Sequence, residues 1–222
     1  MVRGMQDTPA APPPPDAPAT PPPPPPAQPP AGAGDYPAQG DATRQEEYNR
    51  FLPLVKWLLA FPHYIVLLFL LIGAAIAIFI SFFAVLFTRK YPRGLFDYVV
   101  GVFRWAWRVN SYVYLLVDPY PPFSLGEEPD YPARLSVAYP EDGIDRWRPL
   151  VQWLLAIPYL IVAGILSYVA AIVAFIGIFV ILFTKKLPEG MFKLILNPMR
   201  WQLRGSSYEL WMVDKYPPFE WD

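Results

Sequence analysis

Arg104 and Arg108 stand four positions apart, and the same pair returns as Arg200 and Arg204. Four residues is close to one helical turn, so each pair projects two guanidinium groups from one helix face. A guanidinium offers a planar fork of donors that fits a phosphate or a carboxylate. Upstream of each pair lies a basic turn: "TRKYPRG" with Arg89, Lys90 and Arg93, and "TKKLPEG" with Lys185 and Lys186. Together these residues are the candidate lipid- or anion-binding set. Three roles stay open for the arginines: snorkelling on a solvated face, contact with anionic headgroups, and pairing to a partner subunit.

Other chemistry is scarce. The chain has no cysteine and one histidine, His63, so disulfides, thiolate catalysis and a zinc site are not expected. His63 follows Pro62, and no acid or second histidine accompanies it, which favours an aromatic role at a membrane boundary over a proton relay. Asp118 and Asp214 fall where helices should end and read as caps. No paired carboxylates, phosphate loop or nucleophile elbow is present, so neither an enzyme nor a cofactor is expected. The net charge of −1 leaves no basic stripe for nucleic acid. With 54% hydrophobic and only 17% charged residues, the excess apolar surface needs a solvent other than water.

The elements that position these residues come as a tandem pair. Shifting the chain by 96 places aligns 49–123 with 145–219, and about 36 of those 75 positions are identical. "PLVKWLLAFP" matches "PLVQWLLAIP", "RWAWRVNSY" matches "RWQLRGSSY", and "VDPYPPF" matches "VDKYPPF". Each copy opens with a short helix that bends at Pro62 or Pro158, and in the first copy Lys56 snorkels at the surface beside Trp57. An uncharged stretch follows, Tyr64–Phe87 or Tyr159–Phe183. At 1.5 Å per residue, its roughly 36 Å would cross a hydrocarbon core of about 30 Å. After the basic turn, Asp97, Gly101, Arg104, Arg108, Ser111 and Asp118 recur at steps of three, four or seven. They form the polar face of an amphipathic helix lying in the interface, aromatic side down.

The fold expected is an all-α integral membrane protein of two repeated units, each a transmembrane helix followed by an amphipathic interfacial helix. The units are 48–125 and 145–222, joined by an extended connector over 126–144. A disordered Pro/Ala-rich tail fills 1–47, since the first forty residues hold 15 of the 30 prolines. That tail could dock on a proline-reading domain such as SH3 or WW, and deleting residues 1–40 is expected to leave insertion and thermal stability intact. A single crossing per unit spares Arg104 and Arg108 the bilayer centre, where each costs at least about 2.5–3.5 kcal/mol. It also puts the two basic turns on opposite sides, against the positive-inside tendency. Two crossings per unit, or a shallow re-entrant hairpin, would put both turns on one side.

At these residues the chain resembles a family of bacterial membrane proteins, common in actinobacteria, called domain of unknown function 4389. The resemblance runs through Lys56–Val66, Leu86–Trp105, Arg108–Leu116 and Asp118–Leu125, more weakly through the second copy, and spans Arg50 to Phe219. Glu189 departs from a family arginine, Asn197-Pro198 interrupts the last helix, and an extended segment of the family's kind precedes only the second copy. The resemblance implies a two-copy membrane protein and no particular reaction.

The functional expectation is a small, multi-pass protein of the cell membrane, serving as a structural or accessory component of a membrane assembly. Its partners would be the bilayer and either a homo-oligomer or a larger complex. The alternative is a small oligomeric transporter or channel subunit, because duplicated units are common in transporters. Two spans with few polar residues cannot enclose a pore alone.

Overall fold

A computed structural model describes residues 36–221. In chain order the elements are β1 (Ala38–Ala42), α1 (Leu52–Leu59), α2 (Phe61–Thr88), α3 (Arg93–Val113), β2 (Ala133–Val137), α4 (Arg148–Thr184) and α5 (Glu189–Glu209). The 96-residue shift carries α1 and α2 onto α4, and α3 onto α5. Pro62 sits at the start of α2, just beyond the break at Ala60, whereas Pro158 lies inside an unbroken α4. Asn197-Pro198 does not interrupt α5 either. One missing donor does not end a helix packed along α4 on one side and β1 on the other.

The long helices bury a single narrow stripe. In α2 it comprises His63, Leu67, Ala74, Ala77, Ser81 and Val85, at steps of three, four or seven. In α4 it includes Ala156, Tyr159, Ala163, Ala170, Gly177 and Ile181. Small residues make up half of the first stripe and most of the second, which lets the neighbouring helix approach closely. The other faces are uncharged, apolar and exposed: Phe69, Ile72, Phe79 and Phe87 on α2, and Ile165, Tyr168, Phe175 and Phe183 on α4. Both helices are long and apolar enough to cross a membrane.

The description all-α needs correction, and so does the limit of the tail. Residues 38–42, placed in the disordered tail, form β1, which pairs antiparallel with β2 from the connector. The repeat is longer than the 96-residue alignment shows: Tyr36-Pro37-Ala38 returns as Tyr131-Pro132-Ala133, at a spacing of 95. An extended segment therefore precedes both copies. The expectation for residues 1–35 lies outside the described residues. In the β1–β2 register Gly40 faces Leu135, and these two are equivalent positions at the 95-residue spacing. A pseudo-two-fold axis passes through that pair, normal to the sheet, as antiparallel pairing requires.

The leading strands are exchanged between the copies. β1 packs on α5, and β2 packs on α3. The Tyr36 hydroxyl donates to Lys215 O at 3.0 Å, and the Tyr131 hydroxyl to Pro119 O at 3.0 Å. Burial pushes the pKa of both phenols up. A second reciprocal contact joins the start of each copy to the end of the other's long helix: Tyr48 N donates to Lys185 O at 2.9 Å, and Ile144 N to Arg89 O at 2.8 Å. Arg89 and Lys185 are left-handed helix caps, with φ of 61° and 58°. The result is three layers: the two-stranded sheet, then α3 and α5, then the long helices.

Two outcomes follow. Truncation through Ala42 removes Tyr36 and β1 from the face of α5, and should lower the thermal midpoint in mild detergent by several degrees. Lys185→Gly should raise it, because glycine relieves a left-handed conformation that costs an L-residue about 1 kcal/mol.

Candidate functional site

The structure takes the arginine pairs away from any open face. Arg104 Nε donates to Leu135 O at 3.2 Å, and its fork pairs with Glu127 at 2.8 Å. Arg200 repeats this from the second copy, donating to Gly40 O at 2.9 Å and pairing with Asp41 at 2.9 Å. Each guanidinium thus grips the on-axis residue of the strand exchanged onto its helix. Arg200 also donates to the Asn197 side chain at 3.2 Å. Arg108 is 3% exposed and donates to Gly126 O at 2.9 Å and to Ser124 O. Burial pushes its pKa down, opposed by Glu128. Arg204 is 2% exposed. The solvated arginine face read from helical spacing is therefore an internal surface. α3 lies between the sheet on that face and α2 on the other, where Tyr98 donates to Leu70 O at 3.1 Å and Trp105 meets His63.

The basic turns stay open. Lys90, Lys185 and Lys186 are exposed. Arg89 and Arg93 are exposed too, but carry surface pairs to Asp145 at 3.2 Å and Glu141 at 2.8 Å. Arg93 also lies over the Tyr139 ring at 4.3 Å. Only the turn residues of the candidate set therefore face outward with charge to offer.

Two side chains do more than their spacing suggested. Lys56 does not snorkel: it is 1% exposed, donates to Val117 O at 2.6 Å and pairs with Asp118 at 2.8 Å. Asp118 in turn accepts from Asn49 N at 2.6 Å, so it ties the end of the first copy to its own beginning rather than capping α3. In the second copy Gln152 donates to Val213 O at 3.0 Å, and Asp214 pairs instead with Arg148 at 3.3 Å. Spacing alone carries no signal of this, since Val55 and Trp57 on either side are exposed and the acid that meets Lys56 lies beyond α3.

The repeated Tyr-Pro-Pro-Phe phrase closes an aromatic cluster over the entry of each long helix. His63 is fully buried, stacks on Phe123 with ring centroids 4.0 Å apart, and accepts from Trp105 Nε1 at 3.0 Å. In the second copy Tyr159 takes its place, with Trp201 at 5.3 Å and Phe219 at 5.0 Å. A crevice of about 260 Å³ runs between α3 and α5, lined by equivalent pairs such as Phe103 with Met199 and Asn110 with Ser206. Its walls are mainly apolar.

The second copy indicates which chemistry at position 56 matters. Lys56→Met should lower stability by about 3 kcal/mol or more, since it leaves Asp118 without its cation and Val117 O without a donor. Lys56→Gln restores the carbonyl contact in the manner of Gln152 and should cost clearly less, measured as the thermal midpoint in detergent. Arg200→Lys cannot reproduce the three-way fork, and should cost about 1.5–3 kcal/mol by the same readout.

No curated protein and no solved structure matches the chain. The family described as Domain of unknown function (DUF4389) matches it twice, over residues 53–124 and 146–220. Those two matches fall on α1–α3 and on α4–α5, leaving both exchanged strands outside. With both copies covered and well over half of its length matched, the chain belongs to the DUF4389 family.

Proposed function

We propose that the protein is a non-catalytic structural or accessory component of a membrane assembly, embedded through the outer faces of α1, α2 and α4. The observation that carries this is the one-sided burial of the long helices. Only 22% of the most apolar window of each is buried, whereas the core helix of a soluble protein hides most of such a window. The exposed apolar surface extends along the whole of both helices, far beyond the patches a soluble monomer tolerates. Trp57 and Trp153 stand exposed near the starts of these helices, where amphipathic rings suit the headgroup boundary.

Contact with anionic headgroups then falls to Lys90, Lys185 and Lys186 rather than to the arginine pairs, whose donors serve the fold. Each such lysine contributes about 1 kcal/mol near an anionic surface. The alternative, an oligomeric transporter or channel subunit, is less well supported: the crevice between the copies has mainly apolar walls, and the buried arginines hold carbonyls and carboxylates.

Membrane fractions of expressing cells should retain the full chain after carbonate and high-salt washes. Recovery in the soluble fraction would overturn the embedding. Native mass spectrometry from mild detergent should show anionic phospholipid retained by the wild type and depleted in the Lys90→Gln/Lys185→Gln/Lys186→Gln variant, at unchanged thermal midpoint. Equal retention would remove the lysines from the headgroup role.

A further inference from the structure

The pseudo-two-fold axis fixes how the long helices can sit in a bilayer. Rotation about an axis leaves height along that axis unchanged. Tyr48 and Ile144 therefore share one height, and Arg89 and Lys185 share another. The bonds from Tyr48 N to Lys185 O and from Ile144 N to Arg89 O, at 2.9 and 2.8 Å, make the two heights nearly equal. Each long helix, α1–α2 or α4, thus begins and ends at the same level along the axis, and the two run antiparallel across it. Two orientations set both long helices alike in the bilayer. With the axis in the membrane plane and the helices upright, both cross in opposite directions. With the axis along the membrane normal, neither crosses.

Two observations separate them. The first is length. Between Phe51 and Phe87, and between Pro149 and Phe183, the only charged side chain is the buried Lys56. The first of these runs extends for roughly 54 Å of helix, against about 30 Å of hydrocarbon core. The second is the sheet layer. Symmetry places the on-axis pair Gly40 and Leu135 halfway along the long helices. Beside it stand Arg134, next to Leu135, Asp130, which follows the Pro129 carbonyl that Arg134 holds, and Glu127, held by the same Arg104 fork that grips Leu135 O; all three are exposed, the Glu127 side chain by 62%. Crossing helices would hold these charges at mid-bilayer height on the outside of the molecule, at about 2.5–3.5 kcal/mol or more for each aspartate or arginine. With the axis along the normal, the same charges face water. A helix 10–12 Å across then fits within one leaflet, half of the core.

Resting on the membrane embedding proposed above, we infer that α1, α2 and α4 lie parallel to the bilayer within one leaflet, with both basic turns and the strand layer on the same aqueous side. The partner of this surface is the acyl-chain region of one leaflet. The arrangement removes the conflict between arginine energetics and the positive-inside tendency, because both turns share a side without any arginine entering the hydrocarbon. The axis then plays the part it has in duplicated membrane proteins whose halves are related along the normal.

The chain has no native cysteine, so single substitutions in the full chain report position directly. Lys90→Cys, Lys186→Cys and Glu127→Cys should all react with a membrane-impermeant maleimide in intact cells, or all react only after permeabilisation. One turn reacting before permeabilisation and the other only after it overturns the inference. Nitroxides placed by Phe61→Cys, Ile72→Cys and Phe79→Cys lie on one exposed face of α2 and should report a common, shallow depth from collisions with oxygen and a polar nickel complex. A crossing helix instead puts Phe61 and Phe79, about 27 Å apart along the helix, in opposite leaflets with Ile72 deepest, and that profile also overturns it. Release from membranes by carbonate would mark failure of the embedding itself, whereas retention with the turns on opposite sides would defeat the in-plane arrangement alone.

Discussion

The guanidinium of Arg200 reaches Gly40 from 160 residues away, and that hydrogen bond, with its counterpart from Arg104 to Leu135, is the constraint on which the rest of the molecule depends. A two-stranded ribbon is marginal by itself. Here each strand is backed by a helix of the opposite copy, and the arginine from that helix caps the carbonyl at the centre of the ribbon. Burying a guanidinium is costly unless its donors are satisfied. Carbonyls and carboxylates at 2.8–3.2 Å meet that condition around Arg104 and Arg200. With the ribbon fixed, the axis is fixed, and the placement of both long helices follows from it.

The two copies show which parts of the design are positional and which are chemical. Lys56 and Gln152 differ in charge, yet both hand a proton donor to the carbonyl of the valine that precedes the closing aspartate. His63 and Tyr159 differ in every polar property, yet both fill the space beneath a Phe and beside a Trp. The shared requirement is a flat ring at a fixed place, under the Tyr-Pro-Pro-Phe segment. A proton-relay role for His63 finds no echo in the second copy.

Helix position and repeat were legible in the sequence because both rest on local patterns: apolar run length, a spacing of 96, and phrases copied nearly letter for letter. The strands were not. Tyr36-Pro37-Ala38 and Tyr131-Pro132-Ala133 repeat at 95, so the alignment that joins the helices slips past them, and proline-rich composition upstream lends β1 the look of a tail. The arginine face was misread for a different reason. Helical spacing shows that Arg104 and Arg108 share a side but is silent on what covers it, and the cover is a strand from the other copy. Lys56 illustrates the same limit: a lone cation near a helix start looks like a snorkelling residue until a distant aspartate is folded onto it.

Exchange of the leading strands has a consequence for how such a chain can be divided. A fragment ending before β2 would own a strand whose receiving helix lies in the missing half, and a helix whose arginine has lost the carbonyl it grips. Neither half is a complete building block, although the family resemblance is repeated within each. Two molecules of a single half could regain the lost contacts only by trading strands, so the covalent link through residues 126–130 does for one chain what dimerisation would have to do for two.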